Sequence, residues 1–238
     1  MHRLFSALLS HTLVTTLCVA GICLVLLTSV RAQHIVSYQK ISGTLPAFAP
    51  ILQEGNRFGG ATTVLGDLDG NGTPDLAVSA WEDKLGIRKV GAVYILFLNT
   101  NGAVDRFQKI TPSTLPNHDI TRSARGFGRS LAALGDLDGD GITELAVGAS
   151  QNRFGGSVWI LFLQRDGTVK RHHRLNHSQL REDGSLGETA GFGHALAHIG
   201  DLNGDGLPEL AVWASQHTEN GLRSGAFWIL FLNRQGQI

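Results

Sequence analysis

One nine-residue pattern, D-x-[DN]-x-[DN]-G-x-x-[DE], occurs three times in this 238-residue chain, each time in the same setting. It reads Asp67-Leu-Asp69-Gly-Asn71-Gly-Thr-Pro-Asp75, then Asp136-Leu-Asp138-Gly-Asp140-Gly-Ile-Thr-Glu144, then Asp201-Leu-Asn203-Gly-Asp205-Gly-Leu-Pro-Glu209. Oxygen side chains at positions 1, 3, 5 and 9 of a tight loop can converge on one hard cation. Calcium takes six to eight such oxygens at about 2.3–2.6 Å. The glycines at positions 4 and 6 permit the left-handed backbone that turns the ligands inward. The pattern therefore predicts up to three calcium ions, held by the Asp, Asn and Glu residues numbered above. A lone Asp-Gly loop is commonly just a turn, but turn chemistry does not require acids or amides at all four positions three times over. An EF-hand is excluded, because its twelfth position needs a bidentate Glu and here holds Val78, Val147 and Val212.

The repeat is longer than the loop. Loop-to-loop spacing is 69 residues from Asp67 to Asp136 and 65 from Asp136 to Asp201. Each unit opens on Phe-Gly (Phe58, Phe127, Phe192), carries the loop, and continues with Leu-Ala-Val. After a variable polar loop comes an apolar run, Gly91-Ala-Val-Tyr-Ile-Leu-Phe-Leu98, repeated with small changes at 156–163 and 225–232. A more polar alternating segment follows at 104–110 and 169–175, and the same kind of segment stands alone before the first unit at 35–41. Runs of Val, Ile, Trp, Phe and Tyr bounded by Gly, Asn and Asp are strand signals, and no sustained helical period occurs outside the N-terminus. Each unit thus reads as four short strands. The predicted class is all-β, built of three four-stranded β-propeller blades, with both faces of each blade buried against neighbours. Burial on both faces explains why the third strands are continuously apolar. Charges such as Lys109, Lys170 and Arg171 on the fourth strands suit a solvated blade edge and discourage edge-to-edge pairing.

Residues 1–32 stand apart. Arg3 supplies a positive start, 12–30 carry no charge, and Val30-Arg31-Ala32 places small residues at −3 and −1 of a cleavage site. That pattern predicts a secretory signal peptide; the alternative is an N-terminal membrane anchor, since about 19 apolar or weakly polar residues can just span a bilayer. Both cysteines, Cys18 and Cys23, fall inside this segment, so the mature chain has no disulfide. Removing 1–32 lowers Lys+Arg from 20 to 18 against 20 Asp+Glu, a net charge of −2, which leaves no basic excess to drive nucleic-acid binding. The division expected is a leader at 1–32, an outer strand and linker at 33–57, and blades at 58–126, 127–191 and 192–238, the last incomplete.

Phe-Gly, the D-x-D-x-D-G loop, Leu-Ala-Val-Gly-Ala and Gly-Ala-Val-Tyr together resemble the FG-GAP repeat, over residues 35–238. That repeat builds the seven-bladed propeller at the head of integrin α subunits. The Gly-Ala-Pro part is degraded to Ser79-Ala80-Trp81, Gly148-Ala149-Ser150 and Trp213-Ala214-Ser215. The resemblance implies calcium in the hairpin between the first two strands of each blade. It places ligand contacts on the opposite face, in loops 81–90, 151–155 and 216–224 and in the inter-blade segments 111–125 and 176–190. Three blades fall short of the four to eight that propellers use. The expectations are a truncated piece of a longer propeller, an open three-blade stack, or self-association of two chains into a six-bladed ring.

The second loop has four carboxylates and the others three each, which predicts tightest binding at the second site. Glu144 and Glu209 are one methylene longer than Asp75. The eight histidines outside the leader suggest no catalytic set. His194 aligns with Gly60 and Arg129, His198 aligns with Val64 and Ala133, and His172-His173 falls on an outer strand where exposure is the default. No nucleophile elbow, phosphate loop or His-Glu-x-x-His pattern occurs. Trp159 and Trp228 align with Tyr94 and are expected in packing; Trp81 and Trp213 are either exposed anchors or partly buried. The function expected is that of a secreted or cell-surface calcium-binding adhesion module for a protein or glycan ligand, not an enzyme. The alternatives are a fragment or accessory domain of an extracellular hydrolase carrying these repeats, and a small propeller enzyme working at its central channel.

Overall fold

A computed structural model describes residues 12–19, 22–29, 38–46, 48–49, 51–116, 124–151, 155–180, 191–219 and 221–238. The chain divides into two compact units, 1–40 and 41–238. In the first, β1 (Thr12–Val19) and β2 (Ile22–Ser29) pair as an antiparallel hairpin. No helix among the described residues is long and apolar enough to cross a membrane. The expected strand at 35–41 does not form at 38–41; residues 35–37, like 1–11 and 30–32 of the expected leader, lie outside the described residues.

The second unit is built of antiparallel sheets that follow the sequence repeat. Blade 1 has the order β3 (Phe58–Gly66), β4 (Asp75–Ala80), β7 (Ala92–Leu98), β8 (Val104–Ile110). Between β4 and β7 the loop forms its own small hairpin, β5 (Lys84–Leu85) and β6 (Arg88–Lys89). Blade 2 repeats the order with β9 (Phe127–Gly135), β10 (Glu144–Ala149), β11 (Ser157–Leu163) and β12 (Val169–Asn176). Blade 3 has three strands, β13 (Phe192–His198), β14 (Glu209–Ala214) and β17 (Ala226–Phe231), with the hairpin β15 (Thr218–Glu219) and β16 (Leu222–Arg223) in the equivalent loop. No sheet closes on itself among the described strands. The chain is therefore all-β, with two complete blades and a third of three strands, as the period implies.

Blades stack face to face, and the apolar runs are buried accordingly. Val93, Ile95 and Phe97 of β7 form one cluster with Phe127, Leu131, Val147, Trp159 and Leu161 of blade 2. The alternate residues of β11, Val158, Ile160 and Phe162, pack in the next cluster with Leu210 and Val212 of blade 3. The outward side of blade 1 is closed by the segment before it: Phe48 is fully buried with Val78, Tyr94 and Leu96, its ring stacked 4.8 Å from that of Phe107. That cap carries no periodic signal and the sequence reading missed it.

The Phe-Gly opening acquires a physical role at these junctions. The Phe127 N–H donates to the Val90 carbonyl at 3.0 Å, and the Phe192 N–H to the Gly155 carbonyl at 2.8 Å. Gly91 sits at φ 91° directly under Phe127, and a Cβ there would overlap the Phe127 carbonyl oxygen. Each of these first strands thus begins by bonding to the preceding blade, and only glycine lets the two backbones approach so closely.

Candidate metal centres

Each acidic loop lies between the first and second strand of its blade and folds around its own first residue. The Asp67 carboxylate accepts the N–H groups of Gly70 and Asn71 at 2.9 Å each and that of Gly72 at 2.8 Å. Asp136 accepts those of Gly139, Asp140 and Gly141 at 2.7, 2.9 and 2.8 Å. Asp201 accepts those of Gly204 and Gly206 at 2.7 and 2.9 Å. The turns need positive φ at positions 4 and 6, and all six residues there are glycines between 79° and 86°. The position-5 side chain braces the exit: Asn71, Asp140 and Asp205 each accept the N–H two residues on, at 2.7, 2.9 and 2.8 Å.

The ninth residue is where each loop meets the core. Asp75, Glu144 and Glu209 open β4, β10 and β14 and are fully buried. They bring three ligand groups together in each blade: Asp67, Asp69 and Asp75; Asp136, Asp138 and Glu144; Asp201, Asp205 and Glu209, the ligand oxygens of each group within 4.8 Å of one another. The extra methylene of glutamate has a consequence. Asp75 accepts the N–H of Leu68 and that of Leu98, both at 3.0 Å, and so satisfies both oxygens. Glu144 takes only the Leu137 N–H, at 2.7 Å, and Glu209 only that of Leu202. Their second oxygens, Oε1 of each, are buried with no hydrogen-bond partner, as is Oδ1 of Asp138. A buried, unpartnered carboxylate oxygen is costly unless a cation satisfies it. Burial accordingly pushes the Glu144 carboxyl up to about 7 and raises that of Asp75 despite the backbone N–H groups it accepts.

The remaining sequence candidates do not all join these clusters. In the second loop Asp140 turns to Lys170, which also lies 3.0 Å from Asp138. Arg171 bonds Asp138 at 3.1 Å. Burial pushes the Asp138 carboxyl up, but the bonds from Lys170 and Arg171 outweigh it and hold the group below the ordinary carboxylate range. Lys170 and Arg171 of β12 thus offset the charge of Asp138, and Lys170 that of Asp140. In blade 1 the corresponding cation is Arg106, 3.1 Å from Asp69. Asn71 uses its amide nitrogen on the Leu98 carbonyl at 2.9 Å, and Asn203 donates to Asp205 at 2.9 Å. These cross-strand partners have no signature in the loops themselves; basic residues on each fourth strand were the available signal.

The other singled-out residues settle into packing. Trp159 is buried in the core between blades 1 and 2, and Trp228 is half-buried against the blade 2–3 core. Trp81 is half-buried under the Arg129 guanidinium, 4.7 Å from the ring, while Trp213 is half-exposed. Arg129 Nη2 lies 3.4 Å from His194 Nε2; burial and that guanidinium lower the His194 pKa. His172 and His173, expected to be exposed, are partly buried: the His172 ring lies 5.2 Å from that of Trp159, and burial lowers the His173 pKa. Of the expected ligand-contact loops, residues 117–123, 152–154, 181–190 and 220 lie outside the described residues.

Repeated four-stranded blades with an acidic loop at the same hairpin define a propeller-type repeat chain. Residues 58–96 and 127–161 match the FG-GAP repeat, so the chain carries FG-GAP repeats in its first two blades. Its curated relatives are integrin α chains. It is 33% identical to integrin alpha-PS5 of Drosophila melanogaster over 156 residues, 65% of this chain and 15% of the relative. It is 29% identical to integrin alpha-4 of Xenopus laevis over 183 residues, 76% of this chain and 16% of the relative. Against integrin alpha-7 of Homo sapiens the identity is 39% over 124 residues, 49% of this chain and 10% of the relative. The chain therefore spans a small part of the length of the relatives it matches.

Proposed function

We propose that this chain is a secreted or cell-surface β-propeller module of the adhesion type, stabilised by calcium at three hairpin loops, which binds an extracellular protein or glycan and carries out no catalysis of its own. The observation that carries the reading is the buried carboxylate at position 9 of each loop. It joins two exposed or half-exposed carboxylates within 4.8 Å, and in blades 2 and 3 it keeps one oxygen unpartnered. An all-oxygen carboxylate set with Asn amides nearby is calcium chemistry rather than zinc chemistry. Asp67, Asp69, Asn71 and Asp75 would hold one ion, Asp136, Asp138, Asp140 and Glu144 the second, and Asp201, Asn203, Asp205 and Glu209 the third. The ion would tie the start of the second strand to the hairpin and so hold the blade edge.

Residues 1–32 act as the leader for secretion in this reading, and the integrin α names of the relatives agree with an extracellular role. The ligand would meet the loops at the opposite end of the blades from the acidic hairpins. The test is an array of extracellular-matrix proteins and glycans probed with the purified protein in millimolar calcium and again in excess chelator. Calcium-dependent capture of one ligand class supports the reading; a protein whose melting temperature is unchanged by chelator contradicts it.

A further inference from the structure

The connection between the second and third strands of blade 1 departs from ordinary hairpin chemistry. Its hairpin pairs Lys84 with Lys89 and Leu85 with Arg88, so two like charges stand directly opposite each other, which weakens a strand pair. The turn is Gly86-Ile87, with Ile87 99% and Leu85 48% exposed. The equivalent hairpin of blade 3 breaks neither rule. It pairs Thr218 with Arg223 and Glu219 with Leu222 around Asn220-Gly221, a dipeptide that two-residue hairpin turns favour. Residues that work against the local structure they sit in are expected at functional sites.

The surroundings concentrate positive charge at this tip. All six residues from 84 to 89 are exposed. Lys84 and Arg88 form no salt bridge among the described residues, and Lys89 reaches Glu82 at 2.6 Å. That bond, with the charges of Lys89, Arg57 and Lys84, holds the Glu82 carboxyl below the ordinary carboxylate range. The neighbouring Asp83 gives the tip no counter-charge. It is buried, and its carboxylate takes Lys109 Nζ at 2.9 Å and the Tyr94 hydroxyl at 3.2 Å. Asp83 instead fixes the stem: its carbonyl accepts the N–H groups of Val90 and Gly91 at 3.0 Å each, and its own N–H donates to the Ala80 carbonyl at 2.8 Å. The result is a basic, apolar-ended projection anchored in the core. The acidic loop joins β3 to β4 and this hairpin joins β4 to β7, so the negative and positive ends of blade 1 point in opposite directions.

We propose that the hairpin at 84–89 docks on an anionic lipid bilayer, with Ile87 and Leu85 entering the interface while Arg57, Lys84, Arg88 and Lys89 meet the headgroups. A convex tip needs no pocket there, because the bilayer interface takes aliphatic side chains and cations side by side. A soluble polyanion would satisfy the cations but leave Ile87 in water. Each basic residue near an anionic leaflet strengthens attachment about fivefold. The contact requires neither calcium nor the ligand of the proposed function.

The experiment uses the full chain with Cys18 and Cys23 replaced by serine and a fluorescent dye on Ile87→Cys. A second preparation carries the dye on Asn101→Cys, in the exposed turn at the other end of blade 1. Both are titrated, in chelator, with vesicles of equal parts phosphatidylglycerol and phosphatidylcholine whose acyl chains are brominated to quench the dye. The dye at 87 should be quenched and the dye at 101 should not. Adding Lys84→Gln and Arg88→Gln should raise the lipid needed at 87 by roughly 25-fold, with an unchanged far-ultraviolet spectrum. Absence of quenching at 87 overturns the proposal, and a dye that then responds to heparin assigns the tip to a soluble polyanion. Equal quenching at 87 and 101, or quenching at 87 that ignores the charge variants, also overturns it, because another part of the chain would then be holding the membrane. So does equal quenching by phosphatidylcholine alone, which would remove the role of the cations.

Discussion

Gly148→Ala tests the blade packing by the sign of its effect. Gly148 is not among the positive-φ glycines, so its backbone accepts alanine. With free space, the change should stabilise by about 0.4–1 kcal/mol by restricting the unfolded chain. There is no free space. A Cβ at Gly148 would overlap the Gly193 carbonyl oxygen and the Ser130 hydroxyl, and would lie 3.0 Å from the Gly193 carbonyl carbon. Gly193 is the glycine of the third Phe-Gly, and Ser130 donates to its carbonyl at 2.8 Å. The obstacle is backbone, so blade 3 must move away from blade 2 or the hydrogen bond must break. Overpacking of this kind costs about 1–3 kcal/mol. Even after the unfolded-state gain the variant should lose on the order of 1–2 kcal/mol, and at about 2–4 °C per kcal/mol for a domain of this size its melting temperature should fall by roughly 2–8 °C. Gly43→Ala is the control: its Cβ would meet Leu52 Cβ at an ordinary 3.6 Å, so that variant should be neutral or slightly stabilised. Calorimetry of the two variants against the parent decides. A Gly148→Ala protein that melts at or above the parent temperature refutes the inter-blade contact.

Removing calcium with excess chelator should lower the melting temperature, because each ion at about one hundred times its dissociation constant contributes about 2.7 kcal/mol; scanning calorimetry with and without chelator reads this. Glu144→Gln keeps the shape and removes a buried charge, so without metal it should melt no lower than the parent, while its gain on adding calcium should shrink. Phe48→Ala removes the ring that closes the outward side of blade 1 and should cost about 3–5 kcal/mol, read by urea unfolding. Burial lowers the pKa of His173 and, with Arg129, that of His194. Native histidines held neutral contribute stability above their ordinary value of 6.5, and that contribution is lost as pH falls below it. In chelator the urea midpoint of the parent, taken relative to that of a His173→Gln, His194→Gln chain, should therefore fall between about pH 6.5 and 5, a difference in which the opposite pull of the raised Glu144 and Asp75 carboxyls cancels.

What the sequence revealed was whatever the repeat writes three times. Phe-Gly, the acidic loop and the apolar third strand recur because each blade must bond its predecessor, turn tightly and bury two faces. Blade order and the position-9 carboxylates could be read from them. Features that occur once were not legible. Phe48 sits in a segment with prolines at 46 and 50 and no period, and its burial is fixed by Tyr94 and Phe107 from distant strands. Lys170 and Arg171 looked like edge charges, yet they reach back across the blade to Asp138 and Asp140. The step from Asp75 to Glu144 is visible in sequence, but that it costs the bond equivalent to the one from Leu98, leaving a buried oxygen unpartnered, is visible only in three dimensions.

The central claim is that three hairpin loops are calcium sites. Native mass spectrometry of the metal-stripped protein titrated with calcium counts the ions directly. Three ions per chain, falling to two in Glu144→Gln, is the result the account predicts. A chain that stays metal-free at millimolar calcium would contradict it.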